Sequence, residues 1–258
     1  MSVVIGTNVP ALLAAHHLNA SRNDLTQAMT RLASGKRINS AADDAGSIGV
    51  AASLLASVKG AAMAKQNANA AIAATQVADS ALVEVESMLQ RIRELKVQSL
   101  STGTYSATDI TNMNSEITQL ASEIDDIAAN TKFNGTAVSG MDLDPAIRQD
   151  GTTADMALPA FLSGAVASGS SVANIDTAIN SAAAARGSLG AFMNRLEAAV
   201  NNLSSIQANT AAAYSKVMDT DYAAESAEVA KHQVLQQAGA AVLAQANASN
   251  QYVLTLLQ

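Results

Sequence analysis

Three histidines and two pairs of adjacent acids are the residues of this chain best suited to chemistry, since cysteine is absent. Without a thiol there is no cysteine nucleophile, no disulfide framework and no cysteine-based zinc site. His16 and His17 are neighbours. On a helix, adjacent side chains point roughly 100° apart, so the two do not readily share an ion. The residues four positions on, Ala20 and Ser21, are not ligands. His232 has Glu228 four residues before it, but no second acid–histidine set of the kind that bundle enzymes aim inward. Asp43-Asp44 and Asp125-Asp126 lack a nearby histidine that could share general acid–base work. Asp44 reads instead as negative charge at the start of a helix. Gly187-Ser188-Leu189-Gly190 has neither the strand before it nor the Lys-Ser/Thr after it that a phosphate loop needs. The residues therefore predict no catalytic, metal or cofactor site, and a protein that is not an enzyme.

The elements that carry these residues are long helices. In the first, expected over 11–33, Ala15, Leu18, Arg22, Leu25, Met29 and Leu32 alternate by three and four, a heptad pattern with Arg22 as its polar break. Gly35 stands where a C-cap glycine belongs. A polar joint from Gly35 to Gly46 follows, in which Asp43-Asp44 can pair with Lys36-Arg37. A second helix is expected from about Ile48 to Leu100, roughly 80 Å at 1.5 Å per residue. Its clearest stripe is Ala81, Val85, Met88, Ile92, Leu95 and Ser99. The third has the strictest spacing, with Ile110, Met113, Ile117, Leu120, Ile124 and Ile127, and ends near Asn130 before an Asn134-Gly135 turn. Residues 136–171 are broken by prolines and glycines and read as a small β-hairpin with irregular loop. Helix resumes over Val172–Lys216 and, after Asp221 as N-cap, over Tyr222–Ala248.

The pattern predicts a mainly α fold, a long antiparallel coiled-coil or helical bundle built from paired N- and C-terminal halves, with a small β-hairpin insert. The first helix pairs with the last, and the second and third pack on the fourth. Residues 1–40 with 217–258 form a terminal coiled-coil domain, and 41–216 a second helical domain that includes the insert at 136–171. Leu18, Leu25, Met29 and Leu32, with Val229, Leu243, Val253, Leu254 and Leu257, are the expected polymerisation seam, because apolar stripes that run almost to both ends need neighbouring molecules to cover them. Gln90, Arg91, Arg93, Glu94 and Glu116 form a polar flank suited to contacts between subunits.

Composition narrows the classes further. Apolar residues make up 49% of 258, aromatics only 3%, and tryptophan is absent. Alanine-rich helices approach closely rather than building a thick core. A net charge of −7 and isolated basic pairs argue against nucleic acid and against an anionic membrane surface. The apolar runs are interrupted, so no membrane-spanning helix is expected. The N-terminal residues do not have the pattern of a cleaved secretory leader.

Several long motifs resemble one family. The run Arg31-Leu32-Ala33-Ser34-Gly35-Lys36-Arg37-Ile38-Asn39-Ser40-Ala41-Ala42-Asp43-Asp44-Ala45-Gly46 resembles the N-terminal signature of bacterial flagellins, as does Leu89-Gln90-Arg91-Ile92-Arg93-Glu94-Leu95-Lys96-Val97-Gln98. Towards the other end, Leu189-Gly190-Ala191-Phe192-Met193-Asn194-Arg195-Leu196-Glu197 and Gln236-Gln237-Ala238-Gly239-Ala240-Ala241-Val242-Leu243-Ala244-Gln245-Ala246-Asn247 match the family's order. Met193, where the family often has Gln, and Asn250-Gln251, in place of Pro-Gln, depart from it. The resemblance implies a short flagellin without outer domains, which polymerises into an extracellular flagellar filament for swimming. It implies an export chaperone, a filament cap and hook-junction proteins as partners. It also implies that Gln90, Arg91, Arg93, Glu94 and Glu116 lie where a vertebrate innate immune receptor binds many flagellins. The alternative within the same machinery is a hook–filament junction protein.

Overall fold

A computed structural model describes residues 7–143, 145–148, 150–153, 156–160 and 166–255. Among them are five helices: α1 Val9–Ser34, α2 Ala45–Ser99, α3 Ala107–Asn130, α4 Val172–Met218 and α5 Tyr222–Thr255. Local chemistry sets their ends. Asn8 caps α1 by accepting a hydrogen bond from the Ala11 N–H, and Pro10 sits in the first turn, where its missing N–H costs nothing. Gly35 ends α1 at φ 69° and donates its N–H to the Arg31 carbonyl. Ser106 and Asp109 close a reciprocal capping box on α3. The Asp44 carboxylate accepts from the Ser47 N–H at the start of α2, and Asp221 accepts from Ala223 and Ala224 at the start of α5.

The insert is more structured than its composition implies. Strands β1 Lys132–Phe133 and β2 Thr136–Ala137 pair antiparallel, so the hairpin begins ahead of residue 136. Asn134 and Gly135 turn it with φ of 49° and 82°, the conformation that a two-residue loop requires. A second pair, β3 Asp142–Leu143 with β4 Met156–Ala157, follows.

The chain divides into two compact units, Met1–Leu55 with Ala211–Gln258, and Ala56–Thr210. In the second, α2 and α4 run antiparallel. Ala61 and Ala64 of α2 meet Leu203, Ala68 and Ala71 meet Leu196, and Ala78 and Leu82 meet Leu189. Small side chains on one helix thus receive large ones from the other, which fills space at close approach. Ile117 and Ile124 of α3 complete the largest cluster, with Val85, Leu89, Ile92, Ile175 and Ala182. On α2 the buried stripe is wider than the heptad reading, because Leu82 and Leu89 are fully buried while Met88 is only partly so. Two helices, α3 and α4, cover α2 here, so more than one row is needed. Arg186 of α4 ties the helices at their surface, its Nε 3.0 Å from Asp79 and its Nη1 2.8 Å from Glu86. By length and composition alone, α2 is long and apolar enough to cross a membrane. Alanine supplies much of that hydropathy, and the unit's core clusters are built on the same helix.

In the first unit, Ile38, Ala51 and Met218 form a small cluster with Tyr214 and Val217. The remainder of this unit is the α1–α5 pair.

Candidate assembly surface

Helices α1 and α5 lie antiparallel along their lengths. Asn8 Nδ2 donates to the Ala246 carbonyl at 3.2 Å, and Ser21 Oγ donates to the His232 carbonyl at 3.3 Å. Arg31 stands 3.9 Å from Glu225, and Gly35 lies under the Tyr222 hydroxyl. The facing positions on α5 are Glu225, Val229, His232, Gln236, Gly239, Leu243 and Ala246, all partly buried and alternating by four and three. Those on α1 are Ala14, Leu18, Ser21, Leu25, Ala28 and Leu32.

This face differs by one residue from the sequence reading. Leu18, Leu25 and Leu32 are shared, but the second row is Ala14, Ser21 and Ala28, not Ala15, Arg22 and Met29. Either row satisfies a three–four alternation about the same leucines, so periodicity alone does not choose. Close packing does: Ala and Ser let α5 approach, whereas Arg22 and Met29 would hold it off. Gly239 shows how close the approach is, since a β-carbon there would sit 3.3 Å from Leu18 Cδ1.

Arg22 is therefore exposed, and so is Met29 at 47%. Also exposed are Val9, Leu12 and Leu13 of α1 and Val234, Leu235 and Val242 of α5, from 46% to 63%. Val229 and Leu243 are half-buried. Val253 and Leu254 lie on α5, and Leu257 lies outside the described residues.

Polar groups fasten the pair along its length and at the joint. His232 is 3.4 Å from Ser21 Oγ through Nδ1 and 3.2 Å through Nε2 from Oε2 of Glu228, the acid four residues before it. A groove of about 440 Å³ beside it is lined by Leu18, Leu235, Gly239 and Val242. At the joint after α1, Arg37 donates its N–H to the Met218 carbonyl at 2.6 Å, and Thr220 donates to the Gly35 carbonyl. Asp43 is the joint's clasp. Backbone N–H groups of Ser40 and Asn39 and the Gln27 amide bond its carboxylate and hold its pKa down at about 2, from an ordinary 3.8. Arg37 and Asp44 approach to 4.0 Å.

The polar flank lies in the second unit. Arg91 contacts Glu116 of α3 at 3.0 Å and Glu94 at 3.4 Å, and Arg93 pairs with Asp176 of α4. Gln90, Arg91, Arg93, Glu94 and Glu116 are all exposed. The Arg93–Asp176 and Arg186–Asp79–Glu86 pairs join positions about 80 to 110 residues apart, and a single sequence has no local signal for them. His16 and His17 are exposed and touch only edge to face, with ring centroids 5.8 Å apart. Among the described residues, no group of three or more His, Asp or Glu is placed to hold a metal.

Residues 5–138 match the profile of the bacterial flagellin N-terminal helical region, and 172–257 that of the C-terminal helical region. A flagellin of Bacillus subtilis (strain 168) is 33% identical over 98% of this chain and 99% of its own length. A flagellar filament core protein of Brachyspira hyodysenteriae is 34% identical over 99% of this chain and 100% of its own length. The crystal structure of Bacillus cereus flagellin aligns with 54% of this chain and 88% of that one, at 28% identity and a TM-score of 0.47.

Proposed function

The chain belongs to the bacterial flagellin family and is a structural subunit of a flagellar filament, and we propose that burial of its terminal helices between copies is what drives that filament to assemble. The observation that carries this reading is the uncovered apolar face of the α1–α5 pair, with Leu12 and Val234 each 63% exposed. Two helices cannot bury side chains on both of their faces, and apolar surface of this extent is stabilised by about 25 cal/mol for each Å² removed from water. Leu18, Leu25, Leu32, Val229 and Leu243 hold the pair together. Met29, 47% exposed, is left for neighbours to cover.

Within the filament, residues 1–40 with 217–258 form the inner coiled-coil domain. Residues 41–216 form the helical shell around it, including the insert at 136–171. The role is mechanical, not catalytic: the polymer transmits rotation for swimming outside the cell. Gln90, Arg91, Arg93, Glu94 and Glu116 make contacts between shell domains, and the same surface is what a vertebrate innate immune receptor would bind on the free subunit. An export chaperone, a filament cap and hook-junction proteins are the further partners. No finding favours a hook-junction role for the chain itself.

Deleting residues 223–258 tests the reading. The expected product is soluble, keeps the α2–α3–α4 core and forms no filaments by electron microscopy at any concentration. Filaments from this truncate would overturn it.

A further inference from the structure

Arg148 and Arg195 flank a groove of about 400 Å³ in the second unit, floored by Ile147, Ala199, Leu203 and Ile206. Asp150 lies on the same rim, its carboxylate engaged by the backbone and hydroxyl of Thr152 and facing Arg148. Arg148 thus has an acid beside it. Arg195, exposed on α4, is in no ion pair among the described residues. An apolar floor under a net positive rim fits an acidic helix.

One helix of this chain has that character. α3 carries Asp109, Glu116, Glu123, Asp125 and Asp126, and neither lysine nor arginine. Asp109, Glu116 and Glu123 recur every seven residues and so share one stripe. Two of the three are engaged within the chain, Asp109 in the capping box and Glu116 with Arg91. Glu123, with Asp126 one turn on, is left exposed.

We propose that the Arg148–Arg195 groove receives the Glu123–Asp126 face of α3 from a second copy of this chain. The proposal rests on the filament reading above and names one of its lateral contacts. A chain cannot make this contact with itself. Its own Ala128 packs in one cluster with Leu189, and Leu203 in the groove lies fourteen residues further along α4, roughly 21 Å away. Glu123 lies further still, since its neighbour Ile124 packs with Ile175 and Ala182 at the opposite end of α4. The two patches are also different surfaces, so pairing them is head-to-tail. Such a contact propagates where its rotation does not close a ring. Opposite charges across it fix register and favour the correct encounter.

Absence of cysteine makes the test clean. Asn202→Cys places a thiol in the groove and Ser122→Cys places one beside Glu123, both at exposed positions. The two single variants are mixed, assembled and oxidised. A covalent dimer is expected in the mixed filaments and in neither variant alone. Mixed filaments without that dimer, or a dimer formed as readily by one variant alone, overturn the contact and leave the filament reading standing. Failure of the unsubstituted chain to form filaments would instead sink the reading on which the contact rests. Charge reversal gives an independent measure. Arg195→Glu is expected to raise the critical concentration for assembly about tenfold at low salt, and adding Glu123→Arg to the same chain to bring it back within about twofold. An unchanged value for Arg195→Glu, or no recovery in the double variant, counts against the contact.

Discussion

Asp43 shows how one side chain can organise a joint. Its carboxylate accepts from the backbone of Ser40 and Asn39 and from Gln27, which ties the segment after α1 back to that helix. Bonding to the charged form lowers its pKa to about 2 from an ordinary 3.8. The contribution is therefore present in full above the ordinary value and is lost as pH falls through the lowered one. Asp43→Asn, which keeps the shape but never ionises, is expected to lower the melting temperature at neutral pH. That difference should shrink below pH 3.8 and vanish near pH 2. A gap that persists in acid would mean that the carboxylate's charge is not what the joint uses. Gln27 could not be read as its partner from the sequence, because only the turn of the chain after Gly35 brings the two together.

Among the elements, legibility followed the strength of the periodic signal. The stripe of α3 was readable residue by residue, and Ile117 and Ile124 are buried as its spacing demands. Ile117→Ala, in the fully buried middle of that stripe, is expected to destabilise the second unit by about 2–5 kcal/mol in urea unfolding followed by circular dichroism. A loss well under 1 kcal/mol would show a site able to collapse around the cavity. On α1 the reading was correct at Leu18, Leu25 and Leu32 and one residue off in the companion row. Alanine and serine carry too little hydropathy to announce that Ala14, Ser21 and Ala28 face a partner. On α5 the facing row includes His232, Gln236 and Gly239, which no apolar pattern would select. The capping residues were legible where their chemistry is local, as at Gly35 and Asp221. The long-range ion pairs were not.

Across the whole molecule, large buried side chains are distributed unequally. Most of the fully buried leucines and isoleucines, among them Leu82, Leu89, Ile92, Ile117 and Leu196, belong to the second unit, whereas α1 buries only Ala14, Ser21 and Ala28. Local stability should follow that distribution. In hydrogen exchange of the unassembled chain, amides of α1 and α5 are expected to exchange at least about tenfold faster than those of Val85–Leu95 and Ile117–Ile124. Assembly should remove the difference. Equal protection before assembly would argue that the terminal pair is finished on its own, and that neighbours add little to it.

The contact of Asn8 with the Ala246 carbonyl brings together positions separated by 238 residues of chain. A fluorophore attached at one extremity and a quencher at the other would therefore be held side by side whenever α1 and α5 are zipped. Dimming and brightening of such a doubly labelled molecule would time the closing and fraying of the pair in solution, one molecule at a time, before any polymer exists.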